Sequence, residues 1–260
     1  MNTRVVHKSP AIVLHGLDYG ESDRIVTFYT HDFGKIKGIA KGARRSRKRF
    51  SNALEPFSYG NIIFSKKGRG TLALIEGIDI INHHAKIRED LGNTLMSSYL
   101  IELIDKFTLE GKKNADLFQL LQSFLGLIDA GRPSEALIRF FEMRLLKLTG
   151  YEPVLDQCMI CRKPVSEKVT YYFITSDGGL RCSTCYQNNS RSLNVSLGTI
   201  KTLLLGKEID IERIKMVTLS EMMAKESRDI LVGFIHHLLG KELKSLHVLN
   251  EIHKMGILSS

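Results

Sequence analysis

Arg24-Ile25-Val26-Thr27-Phe28-Tyr29-Thr30, His31-Asp32-Phe33-Gly34 and Lys35-Ile36-Lys37-Gly38-Ile39-Ala40-Lys41 read as strand, turn and returning strand. The first run is rich in β-branched and aromatic residues. Ile25, Thr27 and Tyr29 leave one face and Val26 and Phe28 the other. Outward from this hairpin the same pattern repeats. Ala11–His15 is a short apolar run followed by a turn around Gly16–Gly20. Ser58–Ser65 makes a fourth strand, Gly68-Arg69-Gly70 a hairpin turn, and Thr71–Ile81 a fifth strand. Five strands within about 80 residues predict a small closed barrel of the OB-fold type, with an SH3-like barrel as the alternative that periodicity leaves open.

Charge is concentrated on this same region. Of the 37 lysines and arginines in the 260 residues, 14 lie in residues 1–70 against five carboxylates, so the whole formal charge of +9 sits there and the remainder balances. Eight of the 20 aromatic residues share these positions, and cations interleaved with aromatics suit a surface that tracks phosphates and stacks bases. In the third strand Lys35, Lys37 and Lys41 share one parity with Ile39, while Ile36, Gly38 and Ala40 share the other. Arg44-Arg45-Ser46-Arg47-Lys48-Arg49 follows directly, five cations in six residues. Such crowding costs self-repulsion that a bound polyanion relieves; a solvated loop is the alternative, and the two are compatible if the loop orders on binding.

From about residue 83 the period becomes helical. Ile87–Phe107 carries Leu91, Leu95 and Tyr99 near 3.6-residue spacing, and a second helix runs from Asn114 or Asp116 through Ile128. Gly131-Arg132-Pro133 breaks the chain, with Pro133 suited to the first turn of a third helix that buries Leu137, Phe140, Phe141, Leu145 and Leu148 and stops at Gly150. Helices resume over Ser196–Leu205, Ser220–Leu239 and Leu243–His253. Apolar stretches such as Ile230–Leu239 are too short and too interrupted, here by His236-His237, to predict a membrane span.

All four cysteines fall into Cys158-x-x-Cys161 and Cys182-x-x-Cys185, twenty residues apart. That is the spacing of a four-thiolate zinc site. Between the pairs, Val169–Thr175 reads as a strand, Asp177-Gly178-Gly179 as a turn and Leu180-Arg181-Cys182 as the return, the layout of a zinc ribbon. Disulfides or thiol chemistry are the alternatives. Met1-Asn2-Thr3-Arg4 opens without the apolar run of a secretory leader, so a reduced cytoplasm is expected, where thiolates serve metals. Four thiolates fill the coordination shell, which favours one structural Zn2+ over a catalytic one.

Residues for bond chemistry are not in evidence. The chain has no Gly-x-x-x-x-Gly-Lys-Ser/Thr loop and no Gly-x-Ser-x-Gly elbow. Asp18, Glu21, Asp23, Asp32 and Glu55 do not make the set a two-metal nuclease needs; the first three read as turn residues that pair with Arg24 or nearby lysines. His83-His84 and His236-His237 are adjacent pairs that diverge on a helix. The expectation is a protein that is not an enzyme.

Tyr19-Gly20-Glu21-Ser22-Asp23, Thr30, Gly34-Lys35, Ala40-Lys41-Gly42-Ala43-Arg44 and Leu54-Glu55-Pro56-Phe57 form an ordered series. It continues with Arg139-Phe140-Phe141-Glu142, Leu145-Leu146, Gly150-Tyr151 and Leu239-Gly240-Lys241-Glu242-Leu243-Lys244-Ser245. In this order and spacing the chain resembles the bacterial RecO family of recombination mediators over essentially its full length. The resemblance implies a multi-domain α+β protein: an amino-terminal five-stranded OB-fold barrel over residues 1–81, and a helical body over 82–150 and 190–260 with a four-cysteine zinc ribbon inserted at 151–189. It implies binding of single- and double-stranded DNA, annealing of complementary strands including strands coated by single-strand-binding protein, and, with the partner RecR, loading of the RecA recombinase. It also implies a cytoplasmic, nucleoid-associated location. Carried onto this chain, DNA contact falls on Lys35, Lys37, Lys41, Arg44, Arg45, Arg47, Lys48 and Arg49. The contact for the tail of single-strand-binding protein falls on Arg139, and the metal on Cys158, Cys161, Cys182 and Cys185. Some relatives lack the cysteines, so zinc is not essential to the family's activity. An RNA-binding or translation-associated protein with an OB-fold and zinc ribbon is the competing expectation.

Overall fold

The computed structural model describes residues 5–46, 49–50, 52–66, 71–131, 134–187 and 192–254. Arg47 and Lys48 of the basic run lie outside them. The chain forms two compact units, Met1–Arg132 and Pro133–Ser260.

In the first unit, β1 (Val6–Tyr19), β2 (Asp23–Thr30), β3 (Gly34–Ala40), β4 (Tyr59–Ser65) and β5 (Ala73–Asn82) close into a barrel in the order β1-β2-β3-β5-β4. This is the OB-fold order, and it removes the SH3-like alternative. Strand β1 is shared: its first half pairs with β4 and its second half with β2. The barrel closes between β3 and β5 through two parallel pairs, Gly38↔Ala73 and Ile39↔Leu74. Gly38 permits this seam, because a Cβ there would stand 2.9 Å from the Ala73 carbonyl oxygen and closer still to the Ile75 side chain. Val13, Val26, Phe28, Ile36, Ile62, Phe64 and Ile75 fill the interior.

Strand β1 does not turn at Gly16 as the sequence suggests. It bulges between Val13 and His15, then continues to Tyr19 opposite Asp23. The run past His15 has no apolar periodicity because its outward side chains stay exposed. Pairing with β2, not burial, keeps it extended.

Three helices complete this unit: α1 (Ala85–Glu89), α2 (Leu91–Phe107) and α3 (Ala115–Ala130). The single helix expected from Ile87 is broken at Asp90, whose backbone is extended and whose carboxylate accepts from Asn93 N at 2.8 Å, capping α2. Asn114 caps α3 in the same way through Leu117 N at 3.0 Å. The α2–α3 connection lies along the free edge of β3: Gly111 N donates to Lys35 O at 2.9 Å and Tyr29 Oη to Asn114 O at 3.3 Å.

The second unit holds α4 (Glu135–Thr149), α5 (Leu197–Glu208), α6 (Glu221–Leu239) and α7 (Lys244–Lys254). Ser134, Ser196 and Ser220 cap the first three with their hydroxyls. Set between α4 and α5 in the chain is a four-stranded sheet of β6 (Val154–Cys158), β7 (Tyr171–Ile174), β8 (Gly179–Cys182) and β9 (Ser192–Val195), in the order β6-β8-β7-β9. Its central hairpin is the predicted one, and β9 adds a strand on β7 that the sequence pattern does not announce. Helix α4 packs on both α5 and α6, so the helices flanking the sheet meet as expected.

The α4–α5 contact is close because Gly206 faces Phe140: a Cβ at Gly206 would stand 2.2 Å from Phe140 Cδ1. Gly206→Ala gains up to about 1 kcal/mol in helix propensity, but overpacking of a rigid ring costs about 1–3 kcal/mol. Gly206→Val gains less and intrudes more. It is expected to lower unfolding free energy by about 3 kcal/mol in urea titration; unchanged stability would mean the helices part without cost.

Candidate nucleic-acid interface and four-cysteine centre

The register of the barrel sorts its outer face into rows. His15, Thr27 and Lys37 form one row across β1, β2 and β3, and Leu17, Ile25 and Ile39 form the next. Tyr19 stands opposite Asp23 beyond them. Leu17 and Tyr19 are 49% and 54% exposed, and Ile25 and Ile39 are half-buried. An apolar and aromatic stripe therefore runs beside the exposed Lys37 and Lys41. Nothing in the periodicity of residues 16–20 pointed to Leu17 or Tyr19; only the β1–β2 pairing places them on this face.

Lys35 and Lys37 share one parity as the sequence predicts, while Lys41 lies past the end of β3 in the following turn, and the environments of the three differ. Lys37 and Lys41 are exposed. Lys35 is drawn under the α2 terminus, where Nζ donates to the backbone oxygen of Asp105 at 2.5 Å and to its carboxylate at 3.1 Å. Its side chain is only 14% exposed. Contact with His15, and behind it Lys106 and Lys35, hold the Asp105 carboxyl well below the usual carboxylate range despite its burial. The Lys35 charge is thus already matched by an ionised partner.

The basic run begins on a loop docked to the β1–β2 turn. Gly42 N donates to Asp23 Oδ1 at 2.8 Å and Arg44 N to Ser22 O at 3.0 Å. Arg44 Nε stands 3.4 Å from Asp18, and an Arg45 nitrogen 3.5 Å from Glu21. Arg49 donates to Lys41 O at 3.1 Å and lies over the Phe50 ring. Arg24 is held most tightly, 2.6 Å from Glu55 and 3.4 Å from Asp18. Of the three acidic residues here only Asp18 pairs with Arg24 as expected; Asp18 also meets Arg44 and Glu21 meets Arg45, arginines and not the lysines expected. These groups surround a cleft of about 470 Å³ bordered by Asp18, Arg24, Arg44 and Glu55.

In the second unit the four cysteine sulfurs lie within 4.8 Å of one another. Cys158 ends β6 and Cys182 ends β8, so the sheet register brings the two pairs together. Each pair sits on a tight turn: Arg162 N donates to Cys158 O at 2.8 Å and Cys185 N to Cys182 O at 2.9 Å. All four cysteines are free, and Cys161 and Cys182 sulfurs are 3.8 Å apart, far beyond a disulfide bond. Burial pushes the Cys158 thiol up, but N–H groups of Cys182, Cys161 and Ile160 outweigh it and bring it down to about 6. Cys185 is pushed up to about 12, first by its contact with Cys182, then by burial and by Cys161 and Cys158. Four thiolates so close repel one another unless a cation sits among them, so this donor set fits a metal ion.

Arg139 is not an exposed helix arginine. It is 4% exposed on α4, with Nη1 2.9 Å from Glu142 and Nε 3.7 Å from Glu135. Glu142 is fully buried. Both of these carboxylates stand on the same helix as Arg139, one turn before and one turn after it, a spacing that is readable in the sequence, whereas its burial is not.

Comparison with known proteins covers most of the chain. The family model described as recombination protein O N terminal matches residues 1–84, and that described as recombination protein O C terminal matches residues 88–247. The DNA repair protein RecO of Syntrophus aciditrophicus is 52% identical over 259 residues, spanning 99% of this chain and 100% of its own. The DNA repair protein RecO of Geobacter metallireducens is 36% identical over 94% of this chain and 97% of its own. That of Bacillus pumilus is 34% identical over 95% of each.

Proposed function

We propose, given that this chain belongs to the RecO family of DNA repair proteins, that it binds single- and double-stranded DNA and anneals complementary strands. The observation that carries this reading is the join on one barrel face between an apolar stripe (exposed Leu17 and Tyr19, half-buried Ile25 and Ile39) and exposed cations Lys37, Lys41, Arg44, Arg45 and Arg49. Bases stack on the first and phosphates meet the second. Annealing needs no bond chemistry: a surface that neutralises phosphates on two strands lowers their repulsion, and base pairing supplies the rest. Lys35 contributes to the barrel through Asp105 and lies outside this surface. Arg47 and Lys48 extend it by sequence.

Within this reading, RecR is the partner with which the protein loads RecA, and the helical part of the chain receives the tail of single-strand-binding protein. Arg139, braced by Glu142 and Glu135, acts there by holding α4 in shape rather than by touching the tail. The functional parts are residues 1–81 for DNA, 82–150 and 190–260 for partners, and 151–189 as a ribbon. The metal is one Zn2+, whose four thiolate bonds clamp the ribbon; Cys158, Cys161, Cys182 and Cys185 hold it. Among the described residues no helix is long and apolar enough to cross a membrane.

Complementary oligonucleotides coated with single-strand-binding protein are expected to anneal on adding this protein, with or without ATP. A strict need for ATP would overturn the reading. Affinity for single strands is expected to fall with salt at a log–log slope of roughly −0.7 per phosphate contacted. Competition with RNA of matched sequence separates DNA repair from the translation-associated alternative: preference for RNA would favour the latter.

A further inference from the structure

We infer that Asp18 and Glu21 are internal stand-ins for phosphate, occupying the Arg44 and Arg45 guanidiniums in the free protein and releasing them when a strand binds. This rests on the reading of the barrel face as the DNA surface and describes how that surface is regulated.

Three observations carry it. First, the contacts are loose: Arg44 to Asp18 at 3.4 Å and Arg45 to Glu21 at 3.5 Å, against 2.6 Å for Arg24 to Glu55. Charge-assisted bonds in good geometry are about 2.7–2.9 Å, so the first two pairs are easily exchanged and the third is not. Second, they are wet. Glu21 is 91% exposed and Asp18 56%, where ion pairs are weak. Third, the pairs do not build the loop. The backbone bonds Gly42 N to Asp23 Oδ1 and Arg44 N to Ser22 O hold the loop on the β1–β2 turn whatever the arginine side chains do.

The guanidinium fork fits a carboxylate and a phosphate oxygen pair alike. A strand running along the face would therefore trade one anion for another at Arg44 and Arg45, while Glu55 keeps Arg24 in place. The free protein thereby avoids a cluster of unmatched guanidiniums, and a polyanion, which displaces both carboxylates at once, competes for them better than a small anion, which displaces one.

The test is a double-mutant cycle in single-strand binding, read by fluorescence anisotropy with a thymidine oligonucleotide at about 0.1 M salt. Asp18→Asn with Glu21→Gln is expected to tighten binding about 3- to 10-fold, the scale of two exposed pairs removed from competition. In a background carrying Arg44→Gln and Arg45→Gln the same change is expected to gain less than about twofold, because the competition it relieves is gone. Unchanged or weaker binding in the first comparison, or an equal gain in both backgrounds, overturns the inference; the latter would be net charge alone. Glu21→Gln by itself, at a fully wet position, gives a smaller gain of the same sign and keeps the test open if the Asp18 variant folds poorly. If Arg44→Gln and Arg45→Gln leave binding unaltered, it is the DNA surface itself that is misplaced.

Discussion

Replacing Lys37, Lys41, Arg44, Arg45 and Arg49 together with glutamine is expected to lower single-strand affinity on the order of a thousandfold at 0.1 M salt. Five phosphate contacts at roughly −0.7 each give a log–log slope near −3.5, which between 1 M and 0.1 M salt amounts to about 3.5 decades of affinity. The slope should flatten by about 3.5 along with the loss, leaving what Arg47 and Lys48 contribute. All five side chains are exposed and none fills the barrel, so the thermal midpoint should stay within a few degrees of the parent. Lys35 supplies the contrast. Lys35→Gln leaves the Asp105 carboxylate with Lys106 as its one remaining lysine partner in a largely covered site, so it should cost stability and leave the salt slope intact. Wild-type affinity in the fivefold variant would move the DNA surface elsewhere on the chain.

Cys158→Ser is expected to have the second large effect, and in a different unit. Cys158 is fully buried, its sulfur receives the Cys182 N–H at 3.4 Å, and it joins β6 to β8. Structural zinc contributes about 10–16 kcal/mol in isolated zinc-finger peptides. Here Phe173 meets Phe234 of α6 edge-on at 5.9 Å and Tyr172 stacks on Tyr186 at 4.1 Å, so part of the ribbon's order does not depend on metal. A loss of about 5 kcal/mol follows, below that range for this reason. Elemental analysis should fall from one zinc per chain to near zero, and protease cleavage should open first within residues 151–189. Affinity for DNA should change less than about threefold. Full metal content in the variant, or a large loss of DNA binding, would contradict the division of labour between the ribbon and the barrel.

Much of this was legible before any coordinates. The Cys-x-x-Cys pairs, the turn at Asp177–Gly179 and the starts of α5 and α6 at Ser196 and Ser220 are local signals, each decided within a few residues; α4 begins at Glu135 behind the Ser134 cap, not at Pro133 as the sequence suggests. So are the strands β2 and β3 and the parity of Lys35 and Lys37, since alternation follows from the pleat alone; it stops applying at Lys41, where the strand has ended. The break at Asp90 was missed because the apolar spacing of Ile87, Leu91 and Leu95 runs straight through it; a capping aspartate in mid-pattern was the available clue. The outward extension of β1 was missed for the opposite reason. Its residues Leu17 and Tyr19 are exposed, so no burial pattern marks them, and only pairing with β2 shows their face.

The sequence by itself determined most of the elements, the four-cysteine donor set and the concentration of positive charge, because backbone periodicity and turn chemistry are set by near neighbours. Tertiary structure alone decided which charges are free. Lys35 and Lys37 are indistinguishable by parity, yet one meets Asp105, seventy residues away, and the other meets water. Arg139 looks like a surface residue but is buried in the folded chain, and Arg44 looks unmatched until the fold brings Asp18 of β1 beside it. Covalent geometry fixes the side from which a side chain leaves its element. What covers that side comes from residues distant in sequence, so the pairing and burial of a charge are properties of the fold.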